Sequence, residues 1–321
     1  MRIRRRRGPR WWLLVPAVSL VAVSAGILVN RWGSVRASQP AYLVTLVAVA
    51  VSGLVATAGS LWNLHPPSDR RRSPGWTVVR RALLSVGTVV LVVVLVLLRP
   101  LPATPAAVAS MRSGSGVAVS VSSSLIRLDP EKARTQTGLV FYPGALVDPR
   151  AYVPLLRPIA DAGFTVDIVK PPYGIALLSL RAPATVIAGD PSVRRWVVGG
   201  HSLGGVAAAS FAGRGNPEVR GLLLWASYPN RSLASHTTLL VTSISAGNDG
   251  LATPAKIEGS RADLPPDTLF VVVGGAVHAH FGDYGPQRGD GAPTIGATEA
   301  QRQIEQATLA LLVRVNDLGR G

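Results

Sequence analysis

Three uncharged apolar runs in the first 100 residues constrain the fold of this chain more than any other feature. They cover residues 11–30, 41–64 and 82–98. A helix of about 17 to 25 apolar residues is long enough to cross the hydrocarbon core of a bilayer. Residues 1–100 supply no partner domain that could bury three such helices. We therefore predict a membrane domain at residues 1–99, with transmembrane helices at about 11–30, 41–64 and 82–98.

The positive charge of the chain lies beside these runs. The formal net charge is +16, and residues 1–100 carry most of it, with fourteen arginines and a single acidic residue, Asp69. The main clusters are Arg2, Arg4, Arg5, Arg6, Arg7 and Arg10 before the first run, Arg31 and Arg36 after it, and Arg70, Arg71, Arg72, Arg80 and Arg81 before the third. Such clusters are typical of membrane topology and argue against nucleic-acid binding.

The arginine distribution also predicts an orientation. The positive-inside rule places the N-terminus and the loop between the second and third runs in the cytoplasm, because they carry the most arginines. We therefore expect a multi-pass protein of the cell membrane whose C-terminal part is extracytoplasmic. Cleavage of the first run as a signal sequence, near residues 22–25, is an alternative. The chain has no cysteine, so disulfides say nothing about its compartment.

The C-terminal part has the pattern of an α/β domain. Residues 100–115 are rich in Pro, Ala, Ser and Gly and predict a linker. In the predicted domain, residues 116–321, strands are expected at 117–122, 125–128, 138–142, 164–169, 197–200, 221–225, 239–245 and 269–274, and helices from 149, around 175–188, and at 203–213 and 300–317. Strands that are apolar on both faces and alternate with helices indicate a mostly parallel sheet covered on two sides.

The segment Gly200-His201-Ser202-Leu203-Gly204 is the strongest candidate for chemistry in this domain. The G-x-S-x-G pattern alone is weak in a chain with 33 glycines. Here, however, a predicted strand leads into it and a run of small apolar residues, predicted as a helix, follows it. Strand, sharp turn, serine and helix form a nucleophile elbow, which presents the serine hydroxyl above the sheet. The alternative is a glycine-rich turn without chemistry.

A serine nucleophile needs a base, and five histidines are available. Active groups of parallel sheets gather at the carboxyl ends of the strands. His65 falls in the predicted cytoplasmic loop, His201 is expected to point away from the neighbouring serine, and His236 precedes a strand. His278 and His280 follow the last strand. We favour His278 as the base and expect a supporting or loop role for His280.

The acid that orients the base is expected between the serine and the histidine in chain order. Glu218, Asp263 and Asp267 each precede a strand, and Glu258 falls within a predicted helix. Asp249 follows the strand at 239–245, at the carboxyl end of the sheet, and is therefore the candidate. Its alternative interpretation is a turn residue, because Asn-Asp-Gly favours turns.

Two backbone amides are candidates for an oxyanion hole. One belongs to Leu203, directly after the serine, and the other to Ala145, in the Pro-Gly-Ala segment that follows the strand at 138–142. Amides at these positions can donate to the negative oxygen that forms when a serine attacks a carbonyl. The alternative for the Pro-Gly pair is a simple turn.

Four segments resemble the α/β-hydrolase superfamily, in particular its small, lidless members related to dienelactone hydrolase. They are residues 141–149, 199–205, 247–250 and 278–291. The resemblance implies an α/β-hydrolase fold with Ser202 as nucleophile, Asp249 as acid, His278 as base, and Ala145 and Leu203 as oxyanion donors. About a dozen residues, 226–238, separate two core strands where larger hydrolases insert a lid, so we expect an open pocket.

These observations together predict a membrane-anchored serine hydrolase that cleaves carboxylic esters or related acyl compounds through an acyl-enzyme. Its substrate would be a small or lipid-derived acyl compound, and it would need no metal or organic cofactor. Acyl transfer to a cell-envelope acceptor is one alternative. A catalytically silent membrane-anchored binding module is another. Glycine-rich residues 281–291 have no role in this prediction beyond bordering the pocket.

Overall fold

The computed structural model describes residues 11–62, 74–132 and 134–319. They form two compact units: the first comprises the N-terminal helices up to Arg99 without residues 37–39, and the second comprises residues 37–39 and the chain from Pro100 onward. Several residues used in the topology prediction lie outside the described residues, namely the arginines before residue 11, His65, Asp69 and the arginines at 70–72.

The first unit contains three helices in its described part: α1 (Trp11–Ala37), α2 (Ala41–Leu61) and α3 (Pro74–Leu97). All three are long and apolar enough to cross a membrane. The helix ends differ from the predicted spans. Helix α1 continues to Ala37 through a kink at Arg31, and α3 begins at Pro74 instead of residue 82, so that it includes Arg80 and Arg81. An arginine interrupts an apolar run in the sequence but does not have to end the helix. Its long side chain can carry the charged group from the helix to water at the surface of a membrane.

The starts of α1 and α3 lie at the same end of this unit. The guanidinium groups of Arg80 and Arg81 lie 5.7 and 5.2 Å from the ring centroid of Trp12. At these distances each cation is attracted to the face of the indole ring. Residues from the N-terminal parts of α1 and α3 are therefore neighbours.

The predicted linker, residues 100–115, is more ordered than its composition suggested. It contains helix α4 (Pro105–Ala109), whose first turn is capped by the side chain of Thr104. Thr104 also donates its hydroxyl proton to the carboxylate of Asp283 at 2.7 Å, and Leu101 forms a β-bridge with Val147. A short segment without its own periodicity is ordered here by tertiary contacts, which composition does not record.

The second unit is built on one eight-stranded sheet. Its strands are β1 (Val117–Val121), β2 (Leu125–Pro130), β3 (Thr137–Tyr142), β4 (Thr165–Val169), β5 (Arg195–His201), β6 (Val219–Trp225), β7 (Leu240–Ala246) and β8 (Leu269–Val273). Their order in the sheet is β1-β2-β4-β3-β5-β6-β7-β8. Strand β2 is antiparallel to both its neighbours, and every other pair beyond it is parallel. The prediction of a mostly parallel sheet is confirmed.

Helices cover both faces of this sheet. They are α5 (Val153–Asp161), α6 (Ala182–Gly189), α7 (Leu203–Ala212), α8 (Pro254–Gly259) and α9 (Ala297–Asp317). Successive residues of β3 divide between two cores: Leu139 and Phe141 pack with residues of α5 and α9, whereas Val140 and Tyr142 pack with residues of α6 and α7. This alternation is why the strands are apolar at every position.

Two helical predictions needed adjustment. Asp148 does cap a helical start, but the turn it caps, Pro149–Tyr152, is a 3-10 helix, and α5 proper begins at Val153. The stretch predicted around 175–188 consists of a 3-10 turn at Ala176–Ser179 followed by α6. The chain therefore enters both helices through tight turns that a 3.6-residue period does not reveal.

Candidate active site

The loops that follow β5, β7 and β8 lie at one edge of the sheet, because these strands are parallel. Ser202 follows β5 directly, Asp249 follows β7, and His278 follows β8. Three parallel strands thus bring a serine, a carboxylate and an imidazole to the same edge of the sheet. This is the arrangement expected from strand ends in an open α/β sheet.

Ser202 occupies a strained turn between β5 and α7. Its backbone angles are φ 53° and ψ −123°, a region that costs a non-glycine residue about 1–3 kcal/mol. The conformation is held from both sides. The Ser202 amide donates to the carbonyl of Trp225 at 2.9 Å, and its carbonyl accepts from the Ser227 hydroxyl at 2.7 Å. The serine side chain remains partly exposed.

The glycines on either side of this serine stand at close backbone contacts. A Cβ on Gly200 would lie 2.8 Å from the amide nitrogen of Gly205, and one on Gly204 would overlap the carbonyl oxygens of Tyr142 and Pro143. These contacts leave no room for a side chain. The glycine-x-serine-x-glycine spacing is therefore explained by the packing of α7 against β3 and β5.

His278 and Asp249 form a buried pair. The Nδ1 atom of His278 lies 2.8 Å from Oδ2 of Asp249, and both side chains are almost completely buried. The other carboxylate oxygen, Oδ1, accepts the amides of Leu251 and Ala252 at 2.7 and 2.8 Å. Asp249 therefore organises its turn with one oxygen and holds the imidazole with the other.

The Nε2 atom of His278 faces no hydrogen-bond partner, Ser202 included, in the described residues. The atom is also buried. Since Nδ1 faces a carboxylate, Nδ1 carries the ring proton in the neutral imidazole and Nε2 is the acceptor. The ring lies 4.5 Å, centroid to centroid, from the ring of His201, which directly precedes Ser202. The His278 ring therefore contacts the ring of the residue that directly precedes Ser202.

The two candidate oxyanion amides remain unpaired. Within the described part of the chain, the amides of Ala145 and Leu203 donate no hydrogen bond, whereas the flanking amides of Gly144 and Leu146 are both used. Leu203 is the first residue of α7, where amides have no partner inside the helix. Free amides at these positions could receive a negatively charged oxygen.

The ring of His201, which we expect to point away from Ser202, lies beside the ring of His278. The Nδ1 atom of His201 lies 2.9 Å from the hydroxyl of Tyr152, and that hydroxyl accepts the amide of Gly144 at 2.8 Å. The Tyr152 proton is then free to donate to Nδ1 of His201. Burial lowers the pKa of His201 well below its usual value, and the adjacent His278 lowers it further. His201 is therefore neutral, and it links the segment of Ala145 to the ring of His278.

His280, for which we expect a supporting or loop role, is a buried histidine two residues after His278. His280 belongs to the same 3-10 turn as His278, but it lines a cavity of about 300 Å³ together with Asp283 and Gln301. Its Nδ1 atom is buried without a hydrogen-bond partner in the described residues. Burial lowers its pKa, and Asp290 partly offsets that effect.

The sequence itself identifies the family. The profile of the alpha/beta hydrolase family matches residues 138–303, just over half of the chain. The chain belongs to the alpha/beta hydrolase family. The matched region begins in β3 and ends in α9, so it includes all five candidate residues of the site in this α/β hydrolase. No curated protein sequence matches the chain.

Solved structures resemble this hydrolase in fold. A candidate dienelactone hydrolase of Klebsiella pneumoniae subsp. pneumoniae MGH 78578 has 16% identity and a TM-score of 0.45, over 59% of this chain and 92% of that one. A butyrate-bound thermophilic esterase of Thermogutta terrifontis has 13% identity and a TM-score of 0.44, over 63% and 95%. A thermostable esterase of Pseudomonas putida ECU1011 has 17% identity and a TM-score of 0.45, over 65% and 87%.

This α/β hydrolase has no helix or strand between β6 and β7, at residues 226–239. The segment is irregular but partly buried, and Leu233 packs into the core beside α7. Residues 226–239, all of which the structure describes, therefore contain no helical lid.

Proposed function

We propose that this α/β hydrolase is a membrane-anchored serine hydrolase that cleaves carboxylic esters or related acyl compounds. The observation that carries the proposal is the buried pair of His278 and Asp249, at the same sheet edge as the strained Ser202. Burying a histidine and a carboxylate in contact costs desolvation free energy. A pair of this kind beside a strained serine is typical of a nucleophile and its base.

The chemistry follows from the roles of these atoms. Ser202 Oγ attacks the acyl carbonyl while Nε2 of His278 takes its proton, and Asp249 holds the resulting imidazolium through Nδ1–H. The amides of Ala145 and Leu203 receive the oxyanion of the tetrahedral intermediate. His278 returns the proton to the leaving oxygen, which gives the alcohol and an acyl-enzyme. A water molecule, deprotonated by His278, then releases the acid and regenerates Ser202.

The neutral state of His201 supports this assignment. A second positive charge 4.5 Å from the ring of His278 would oppose formation of the imidazolium. The hydroxyl of Tyr152 and burial keep His201 uncharged, so His278 can become positive when Ser202 attacks. The surroundings of the base therefore favour a transient charge on His278 alone.

The orientation in the membrane is also part of the proposal. The arginine clusters favour a cytoplasmic N-terminus and an extracytoplasmic hydrolase domain. The contacts of Arg80 and Arg81 with Trp12 support one shared side for the starts of α1 and α3. A hydrolase domain anchored in this way would act on small or lipid-derived acyl compounds outside the cytoplasm, and it would not bind nucleic acid.

The test is labelling of intact cells with a membrane-impermeant fluorophosphonate, together with hydrolysis of short-chain p-nitrophenyl esters by the purified full-length protein. Ser202→Ala should abolish labelling and lower kcat about 10⁴-fold or more. Ser210→Ala is the matched control, because this serine lies in the helix that follows Ser202 and its hydroxyl bonds, among the described residues, only the Val206 carbonyl and Asn230. Full hydrolysis by Ser202→Ala would refute the proposal, and labelling only after lysis would refute the orientation.

Product analysis separates the alternatives. Acyl transfer to an envelope acceptor would give a new ester or amide when an alcohol or amine is added, at the expense of the free acid. A catalytically silent binding module would show neither labelling nor turnover in the wild-type protein. We expect free acid as the main product and labelling at Ser202.

A further inference from the structure

A single carboxylate joins the loops that carry the acid and the base. We define the acid loop as residues 247–250, with Asp249, and the base loop as residues 276–282, with His278. The side chain of Asp290 lies between them. Its Oδ1 accepts the amides of Gly250 at 3.2 Å and His278 at 3.1 Å, and its Oδ2 accepts the amide of Ala279 at 2.8 Å.

These contacts are not those of an ordinary turn residue. A turn aspartate bonds amides one to three positions ahead of it, and Asp290 makes one such bond, to Gly291 at 2.8 Å. The other three bonds reach across 11, 12 and 40 residues of sequence. Within the described chain no cation lies within ion-pair distance of this carboxylate. Its charge is satisfied by backbone amides alone, which fixes the backbones that supply them.

The segment around Asp290 is pressed against the acid loop. The side-chain amide of Asn248 donates to the carbonyl of Ala292 at 2.9 Å, and its backbone amide donates to the carbonyl of Ala276 at 2.9 Å. A Cβ on Gly291 would overlap the carbonyl oxygen of Asn248. The Gly-Asp-Gly sequence at 289–291 is therefore fitted to this contact: glycine allows the close approach, and the aspartate between the glycines reaches both loops.

We infer that Asp290 is a positioning residue that sets the distance and angle between His278 and Asp249. In the described residues its carboxylate bonds backbone amides and no side-chain atom of Ser202, His278 or Asp249. It acts through the backbone on both sides of the His278–Asp249 hydrogen bond. On the acid side it accepts the amide of Gly250, which directly follows Asp249. On the base side it accepts the backbone amide of His278 itself. This inference rests on the proposed function, and it assigns a role to part of the segment 281–291.

The test compares Asp290→Ala and Asp290→Asn in the full-length protein, in detergent. Asp290→Ala removes all four bonds and should lower kcat about 100-fold, as misplacement of a catalytic group by about 1 Å can do. KM should change less than about threefold. Asparagine keeps an oxygen for the three amides at Oδ1 and loses only the Ala279 bond. Its kcat should therefore lie between those of Asp290→Ala and the wild type.

Asp283→Asn is the matched control. Its carboxylate lies in the same segment but bonds the hydroxyl of Thr104, and asparagine retains an acceptor for that bond. Both kinetic constants should stay within about twofold of the wild type. If Asp290→Ala does not fold, Asp290→Asn decides: a fall of about threefold or more in kcat at constant KM supports the inference, and an unchanged kcat overturns it.

A second readout keeps this inference separate from the proposed function. The proton between Nδ1 of His278 and Oδ2 of Asp249 gives an NMR signal far downfield of the amides. In a Ser202→Ala background, adding Asp290→Ala should shift or broaden that signal, and adding Asp283→Asn should not. An unchanged signal together with an unchanged kcat in Asp290→Ala overturns the positioning role. If Ser202→Ala still hydrolyses esters, the proposed function fails, and the signal alone decides the role of Asp290.

Discussion

A buried carboxyl group in the sheet gives a prediction about stability that is independent of catalysis. Asp167 lies in β4, its side chain is completely buried, and neither oxygen has a hydrogen-bond partner in the described residues. The nearest cation is Arg127, whose Nε is 3.9 Å away. Arg127 is shared, because it also pairs with Asp129 at 3.0 Å and with Asp190. Asp167 is therefore only partly compensated.

This imbalance shifts the pKa of Asp167. Burial raises it from 3.8 to about 6, Arg127 opposes the rise, and the carboxylates of Asp129 and Asp190 add to it. A raised pKa means that the folded state favours the protonated acid. Below pH 3.8 the group is protonated in both the folded and the unfolded chain and costs nothing. As the pH rises from 3.8 to about 6, the folded state loses up to about 3 kcal/mol, since each pKa unit corresponds to 1.36 kcal/mol, and above about 6 the loss stays constant.

Asp167→Asn removes this pH dependence, because an amide does not titrate in this range. The amide also changes hydrogen bonding in the core, but that offset is the same at every pH. About 0.5 kcal/mol of the penalty is already present at pH 4. The difference in unfolding free energy between Asp167→Asn and the wild type should therefore move by about 2.5 kcal/mol in favour of the variant between pH 4 and pH 8.

The assay is urea unfolding of the full-length protein in detergent at a series of pH values. Trp196 and Trp225 are fully buried in the sheet unit and report its unfolding by fluorescence. Asp267→Asn is the control, because this exposed residue precedes β8 and does not belong to the group of charged side chains around Arg127. A difference between Asp167→Asn and the wild type that stays constant to within about 0.5 kcal/mol across this range would refute the electrostatic reasoning, since the worked penalty is about five times larger.

Two further predictions concern the site. Tyr152→Phe leaves the buried amide of Gly144 and Nδ1 of His201 without partners. It should lower the unfolding free energy by about 1–3 kcal/mol per orphaned group, as measured by urea unfolding, and should reduce kcat more than it changes KM. Asp249→Asn should lower kcat about 10⁴-fold in the ester assay, because an amide can donate to Nδ1 of His278 and so move the ring proton to Nε2, where it blocks the serine. Retention of more than about a tenth of wild-type kcat in Asp249→Asn would contradict the role of the acid.

The fold class could be predicted because its signals are local. Each strand of the sheet is a short apolar run, and the glycines at 200 and 204 mark where a helix packs on β3 and β5. Strand ends then selected Ser202, Asp249 and His278 from many possible residues. The structure brings the last two into contact. The catalytic roles of all three stay predictions until Ser202 and its partners are tested.

What the sequence could not reveal depends on residues far apart in the chain. Tyr152 meets His201 across 49 residues, and Asp290 reaches Gly250 across 40. Each contact depends on the direction of a side chain and on the path of a loop, neither of which has a periodic signature. The ordered segment after Arg99 was missed for the same reason.

The sequence by itself determined the two-part organisation, the covered parallel sheet and the edge of the sheet at which the three candidate residues lie. Hydrophobic period and glycine placement fix these, because they set which surfaces must be buried and where backbones can touch. Only the tertiary structure decided which polar atoms become partners. It showed that one oxygen of Asp249 binds His278 and that burial keeps His201 neutral. It also showed that Asp167 is buried with too little positive charge beside it. Such pairings depend on distances of a few ångströms between residues far apart in the sequence, and these distances are set only when the whole domain has folded.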